Sequence, residues 1–535
     1  MSEVQRIPFD RLHMPGLFLA WLAGDPALDP HLARPAHHAQ GLWEAARNRR
    51  ENAGPEAWRE SIQPVLASYA EKHGAPRPVL AAAEEFAKPG TLAIVTGQQP
   101  GLFGGPLYVW HKVATALRLA AALRELPSMP PIVTIFWNHS EDHDWGEANH
   151  SWLLNQGLDA QRIRLGMVAQ SCTLAEVPVG QALERSLLEA RDLLSSTAFR
   201  DAELEGMAPK DESETLGSHL SRQLFRHFGD QGLLILEPAR LPDACREPLE
   251  TFHRRAAELR GAFHSELEEL QGRGFDSTVD PQSSLLFEIG TGRRREPLPD
   301  GERRQGDRQL SPGVLLRPVW QDMLLPTLAT VVGPGEASYL AMTREIYSLL
   351  GVPRPPIMPR ASLTHVRPGL WEDLERWGIG LQELEAGAVA IEERISELDG
   401  GGTEMGAEEE LPEEQMRVLA KRLVEEMRSL EAGVAEVDRH LLLPMTRVSS
   451  RASSEIRKLA DKVVKRRRNQ AGAWRQHARR LCGELRPRGR LQERVFPALF
   501  FLTRYGHAFA DGLLARADPF AREHILSCLS EEPSD

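Results

Sequence analysis

The sequence predicts an α/β protein: a parallel sheet with helical crossovers, joined to a long antiparallel α-helical coiled coil. Three stretches predict it. "LAIVTGQQPGLFGGPLYVWHKVATALRLAAALREL" (Leu92 to Leu126) runs from an apolar strand through a glycine-rich loop into an amphipathic helix, and "PPIVTIFW", from Pro130, supplies the next strand. Strand, helix and strand in that order make a parallel βαβ unit. "TLATVVGPGEASYLAMTREIYSLLG" (Thr327 to Gly351) repeats the step from strand to helix across a Gly-Pro-Gly turn. Farther on, Met416, Ala420, Leu423, Met427, Leu430, Val434, Val437 and Leu441 alternate spacings of four and three residues, a heptad seam that needs a partner helix.

Taken in chain order, residues 1–90 read as helix and loop, with two amphipathic segments divided near Gly54 and Pro55. Residues 91–365 hold the sheet, and "GLLILEP" (Gly232 to Pro238) is a further short strand bounded by Gly and Pro. Insertions interrupt this core at about 155–230 and 285–312, the second of them an Arg-rich hairpin, "SLLFEIGTGRRREPLPDGERRQ". Residues 366–485 form the coiled coil, broken at Gly400 to Gly402, so that a hairpin of long helices is expected in which the seam pairs with the helix preceding it. Its outer flanks, Leu381, Leu384 and Ile391 among them, are left for a second subunit. Residues 486–535 are apolar helices that return to the core.

The bulk numbers narrow the function. A chain of 535 residues corresponds to three or four domain-sized units. Its net charge of −12 argues against a surface devoted to nucleic acid or anionic lipid. No run reaches the length of a membrane span and no secretory leader opens the chain, so a cytoplasmic location is expected. Cys172, Cys245, Cys482 and Cys528 form no C-x-x-C pair, which predicts reduced, structural cysteines and no thiolate zinc site.

Two strand ends carry the chemistry. In open α/β sheets ligands sit at the carboxyl ends of the strands. Gly101, Gly104 and Gly105 permit close backbone approach, and the following helix points its positive end at the loop; an anion is the expected ligand, with Lys112 as an added charge. The string is neither G-x-G-x-x-G nor G-x-x-x-x-G-K-[ST]. The second strand runs into "NHSEDHDWGEANH", where Glu141, Asp142, Asp144 and Glu147 crowd together around His143. Such a cluster suits an ammonium substrate, a metal ion or a general base, and at least one of its carboxyls should hold its proton unusually well. His139 and His143 have the spacing of helical zinc ligands, but H-E-x-x-H is absent and no tightly bound metal is predicted.

"TGQQPGLFGGPLYVWHK", "EDHDWGEANH", "SPGVLLRPVWQDMLLPTLATVVGPGEASYLAMTREIYSLLGVPRPPIMPR" and "LQERVFPALFFLTRYG" resemble the motifs of the cysteine ligase family of bacillithiol biosynthesis, from about residue 90 to the end. The resemblance implies a Rossmann-type core with connecting-peptide insertions, a dimerising coiled coil, and a ligase that adds L-cysteine to glucosaminyl-malate. The core is also similar to that of class I aminoacyl-tRNA synthetases, which places Glu336 at a nucleoside or amine and leaves a nucleotidyltransferase acting on another amino acid or an RNA-linked substrate as the alternative. Unlike the synthetases, this chain has no H-x-G-H at "GGPLYVWHK" and no K-M-S-K-S string. No role is carried onto His111 or His139.

Amide formation implies ATP with magnesium to activate the carboxyl, an anion-binding set, and a base for the amine. Glu141, Asp142, His143 and Asp144 are the catalytic candidates, and Gly104, Gly105, Lys112, Gly333, Gly335 and Arg360 the nucleotide or anion candidates. Substrate contacts are assigned to Thr96, Gln98, Gln99, Tyr108, Asn149, Arg317, Gln321, Asp322, Glu336 and Tyr339. For Arg317 a bridge to Asp322 stands as the structural alternative. The basic run Lys462, Lys465, Arg466, Arg467 and Arg468 beside Trp474 raises RNA binding, although charge on a coiled coil usually marks a solvated face. A scaffold alone would have no use for the acidic strand end or the glycine loop.

Overall fold

The computed structural model describes residues 4–50, 55–166, 171–276, 279–290, 294–302, 306, 308–399 and 412–529. The chain divides into two units, Met1–Pro368 with Arg490–Asp535, and Gly369–Gly489. No helix among the described residues is long and apolar enough to cross a membrane.

The first unit is built on a five-stranded parallel sheet in the order Ile357–Pro359, Thr327–Val332, Leu92–Gln98, Ile132–Asn138, Leu233–Leu236. Its central strands are apolar almost without alternation because both faces are covered. Leu92 and Ile94 pack with Ala116, Leu119, Ala120 and Leu123 of the helix Tyr108–Arg124 and with Leu328 and Met358 of neighbouring strands. Burying each large aliphatic side chain stabilises the fold by roughly 1.5–3 kcal/mol. Register runs from Leu92 opposite Ile132 to Gln98 opposite Asn138, so the two strands finish level at one edge of the sheet.

Between Asn138 and Leu233 the chain leaves the sheet for the hairpin His150–Leu154 and Ala160–Arg164 and the helices Gly180–Leu193, Arg200–Met207 and Leu216–Phe228. The Arg-rich insertion is a three-stranded antiparallel sheet, not a hairpin: Leu286–Ile289 lies between Arg295–Leu298 and Gln309–Pro312.

Both chain termini depart from the helical reading. Val4–Pro8 pairs antiparallel with Glu523–Cys528, which pairs parallel with Ser362–Val366. Within Val4–Pro8 only Ile7 is buried, so the strand leaves no alternating pattern in the sequence. Nearby, Glu493 is fully buried and ties the C-terminal block to the core. Arg360 donates to its two oxygens at 3.0 and 2.6 Å, Ser362 Oγ donates at 2.9 Å, and His111 Nδ1 lies 2.8 Å away. Arg360 is therefore consumed by an internal ion pair, which corrects its expected role as an anion clamp.

In the second unit the helix Leu442–Leu485 carries both Ala388–Asp399 and Pro412–Ser429 on its surface. The seam's partner is thus the helix that follows it, not the one before. Ser453 Oγ donates to the carbonyl of Ala420 at 3.0 Å, and Arg417 meets Asp461 at 3.3 Å, in antiparallel register. Nor is the seam continuous: the helix stops at Ser429, a short helix spans Glu431–Val437, and Asp438 is extended. Leu381, Leu384 and Ile391, expected on an outer flank, are buried within this one chain. The predicted break at Gly400 to Gly402 lies outside the described residues, as do the side chains of Arg467 and Arg468. Lys462, Lys465 and Arg466 are exposed.

Burial opposes the charge on Glu493, but Arg360 and His111 outweigh it and hold the carboxyl well below its usual range. In the unfolded chain a glutamate binds its proton near pH ~4.3. The folded state binds that proton only at lower pH, so stability present above pH ~4.3 is lost as pH falls through the depressed folded value. Glu493→Gln should lower the melting temperature at pH 7 and flatten its decline below pH ~4.5. Thermal melts of both proteins from pH 7 to pH 3 check this.

Candidate active site

The carboxyl ends of three neighbouring strands open into a cavity of about 700 Å³. Gln98 and Gln99 close the Leu92 strand, and Trp137 to Asp144 continue the Ile132 strand. Arg317, Glu336 and Tyr339 come from segments flanking the Thr327 strand, while Phe287, Arg295 and Ser311 arrive from the inserted sheet.

One wall is a chain of polar contacts. Lys112, buried in its helix, lies 2.5 Å from Glu336 and donates to Gly97 O at 2.8 Å and Gln98 Oε1 at 2.7 Å. Glu336 accepts from the backbone N–H of Gly333 at 2.7 Å and from the Tyr339 hydroxyl at 3.4 Å. Arg317 then donates to Tyr339 Oη at 2.8 Å and to His139 Nε2 at 2.8 Å. His139 is neutral: burial, then the charges of Arg317 and Lys112, push its pKa well below 6.5.

The facing wall belongs to the acidic strand end. Asp142 Oδ1 accepts from the backbone N–H groups of His143 at 2.7 Å and Asp144 at 3.3 Å, and Asp142 lines the cavity. Asp144 caps a short helix by accepting from Glu147 N at 3.0 Å. Glu147 shows the expected rise in pKa; burial raises it, a hydrogen bond from Gln99 opposes this, and Asp144 and Asp142 add to it. His143 sits against Phe287 and receives Arg295 Nη1 at its Nδ1, 3.1 Å away. Glu141 reaches the cavity edge but is an anchor: it takes hydrogen bonds from Arg246 and, at 2.8 Å, from Ser311, fastening the inserted sheet to the strand end.

Several candidates lie elsewhere. The glycine loop is a packed elbow in which a Cβ on Gly101 would lie 3.2 Å from the Gly105 backbone and one on Gly105 3.4 Å from Val109. Neither Gly104 nor Gly105 lines the cavity, and Lys112 is neutralised by Glu336, so no anion cradle forms there. Gly333 spends its N–H on Glu336, and Gly335 is likewise outside the lining. Thr96 Oγ1 donates to Val331 O at 2.9 Å, deep in the sheet. Asp322 accepts from Tyr347 at 2.6 Å and from Gln321 at 3.2 Å; no Arg317 bridge forms, and burial raises its carboxyl to about 6. Tyr108 and Asn149 do not reach the cavity lining.

Sequence reasoning gave His139 no role and missed Arg295 and Phe287. The signals available were the position of His139 one residue past a strand and the arginines of the insertion. Gly97 was missed too, and it is constrained: a Cβ there would fall 2.5 Å from Trp137 O and 2.7 Å from His139 Nε2. Away from the cavity, His31, Glu266 and Glu269 could offer a metal three ligand atoms. There, Arg344 and Arg273 already balance the two carboxylates.

Two family models match the chain. Residues 3–305 and 301–361 match the family model described as the N-terminal Rossmann-like domain of bacillithiol biosynthesis BshC, and residues 405–528 match that of its C-terminal coiled-coil domain. A protein of Heliobacterium modesticaldum is 30% identical over 504 residues, 87% of this chain and 88% of its own. Those of Koribacter versatilis and Salinibacter ruber are each 29% identical, covering 88% of this chain and 90% of their own. All three are named "Putative cysteine ligase BshC".

Removing one member of a buried ion pair leaves an uncompensated charge, at a cost of about 3–5 kcal/mol. Glu336→Gln should therefore destabilise the protein by about that amount, and adding Lys112→Met should recover part of the loss. Denaturant unfolding of the two single variants and the double variant measures the coupling.

Proposed function

Because the chain belongs to the BshC family of bacillithiol biosynthesis, we propose that this cavity is where the enzyme, a ligase, joins L-cysteine to glucosaminyl-malate through an amide bond with ATP-dependent activation. The observation that carries the reading is that the cavity over the strand ends offers both signs of charge on each wall: Arg317 and His139 with Glu336 on one, Arg295 and His143 with Asp142 and Asp144 on the other. Cysteine brings an ammonium and a carboxylate, and glucosaminyl-malate an amine and two carboxylates. Substrates with both signs of charge need a site with both.

Asp142 is suited to the amine. Its side chain lines the cavity, and there it would bind the sugar ammonium and take the proton that the nitrogen loses as the carbon–nitrogen bond forms. A positioned base of this kind contributes about 10²–10⁴ in rate. ATP with magnesium would convert the cysteine carboxylate into an acyl phosphate with release of ADP, or into an acyl adenylate with release of pyrophosphate; phosphate or AMP would then depart with the electron pair of the broken carbon–oxygen bond as the amine adds. Arg317 and Arg295, each fixed by its own partners, suit the anionic groups; fixed guanidiniums need no reorganisation as charge develops. Holding both reactants together adds roughly 7–11 kcal/mol of effective barrier reduction.

The same reading includes a homodimer in a reducing, cytoplasmic setting. Its contact is placed at the turn between the long helices, where Leu430, Val437 and Leu443 are 57, 82 and 60% exposed. Apolar side chains clustered this way mark an interaction surface.

Pure protein incubated with cysteine, glucosaminyl-malate and ATP-Mg should give bacillithiol and a nucleotide product by mass spectrometry; a folded protein that gives no thiol product overturns the reading. Asp142→Asn should lose about 10²–10⁴ in rate with an unchanged melting temperature, and retained activity would remove Asp142 as the base. For the dimer, a variant with Leu430, Val437 and Leu443 all changed to Ser should sediment as a monomer with an unaltered circular dichroism spectrum.

A further inference from the structure

We propose that Arg295, carried on the inserted sheet, is a positioning residue that locks His143 as the Nε2–H tautomer, so that His143 serves the reaction as a hydrogen-bond donor and not as its base. The inference rests on the reading of the cavity as the ligase site, and it decides between two of that site's candidate bases.

A guanidinium has N–H donors and no acceptor, and it stays charged at any working pH. Arg295 is held on every side. Its Nε donates to Ser311 Oγ at 3.1 Å, Nη2 donates to Pro312 O at 2.8 Å, and the group lies 3.9 Å from the ring centre of Phe287. The remaining nitrogen, Nη1, is 3.1 Å from His143 Nδ1. Since Arg295 can only donate, Nδ1 must accept, and the proton of a neutral imidazole then resides on Nε2. The competing arrangement, Nδ1–H directed to Asp142, meets its carboxylate only at 3.7 Å, beyond hydrogen-bond range, and would set an N–H against the guanidinium. A doubly protonated ring meets the same conflict. Burial and the Arg295 charge both lower the pKa of His143, while Asp142 and Asp144 act in the opposite direction.

With Nδ1 occupied, the nitrogen left to the cavity is Nε2, which bears a hydrogen and cannot take up another proton. An Nε2–H in this place fits an anionic oxygen, either the carbonyl oxygen that gains charge as the amine adds or a substrate carboxylate. Proton removal then falls to Asp142, which lines the same cavity. Arg317 treats His139 in the mirror sense: it donates to Nε2 and leaves the proton on Nδ1.

The tautomer can be read without turnover. In the full chain carrying ¹⁵N-labelled histidine, the His143 signals, assigned by their loss in His143→Gln, should show a bare Nδ1 and a protonated Nε2 in the neutral ring. Arg295→Lys should keep that pattern and Arg295→Ala should lose it. A protonated Nδ1 in the wild-type spectrum overturns the proposal even if the variants do not fold, and it does so whatever the substrates prove to be. Kinetics supply the second arm. Gln places an amide N–H near the position of Nε2, and Asn near that of Nδ1. His143→Gln should stay within about tenfold of wild-type kcat, whereas His143→Asn and His143→Ala should lose about 10²–10³, the loss typical of one donor at a developing charge. Equal loss in His143→Gln and His143→Asn, together with a pH–rate limb that vanishes in both, would make His143 the base and defeat the inference.

Discussion

A single buried ion pair sets the geometry of the strand ends. Lys112 sits inside the molecule with Glu336 2.5 Å away, and it holds Gly97 O and Gln98 Oε1 from the adjacent strand end. Burial would drive the ammonium to shed its proton, and Glu336 opposes that most directly. Everything on that wall of the cavity follows in sequence: Glu336 orients Tyr339, Tyr339 and His139 orient Arg317, and Arg317 is held at the cavity lining. The lysine itself is not part of the cavity lining. Its part is to supply a fixed counter-charge in a medium where charges interact strongly and cannot be screened by water.

The opposite wall is assembled from parts far apart in the chain. Glu141 ends one strand and grips Arg246 and Ser311; Arg295 and Phe287 come in on the same inserted sheet and set the ring of His143. His139 lies close over Gly97, where any side chain would strike the Trp137 carbonyl and His139 itself. That glycine serves proximity: it lets His139 lie directly over the neighbouring strand.

The parallel sheet was legible because its strands are apolar throughout and bounded by glycine and proline, a pattern set by burial on both faces. The acidic strand end was legible as well, since Glu141, Asp142 and Asp144 crowd together at a cost that plain sequence displays. Glycines are ambiguous by nature. Gly101 and Gly105 pack against each other, and the same residues would have looked no different had they cradled a phosphate. Lys112 was misread because its helix is buried on nearly every side, which an amphipathic pattern with one lysine does not announce. Arg295 and His143 are 152 positions apart, and no local rule connects them. The direction of the heptad pairing was illegible for a related reason: a seam states that a partner exists, and both flanking helices were eligible.

The small sheet that joins Val4–Pro8 to Glu523–Cys528 has a consequence for biogenesis. Its middle strand is synthesised only after Gly369–Gly489, and so is Glu493, which ties Arg360 and His111 together. At ~5–20 residues per second the nascent N-terminal strand waits on the order of half a minute or more for its mate. During that interval the parallel sheet can assemble from residues already emerged, but the unit cannot be sealed, because Gly369–Gly489 has to be made first. A ribosome that stalls anywhere before Glu493 therefore leaves a chain with an unpaired edge and an uncompensated buried arginine, the kind of intermediate that chaperones bind and proteases clear.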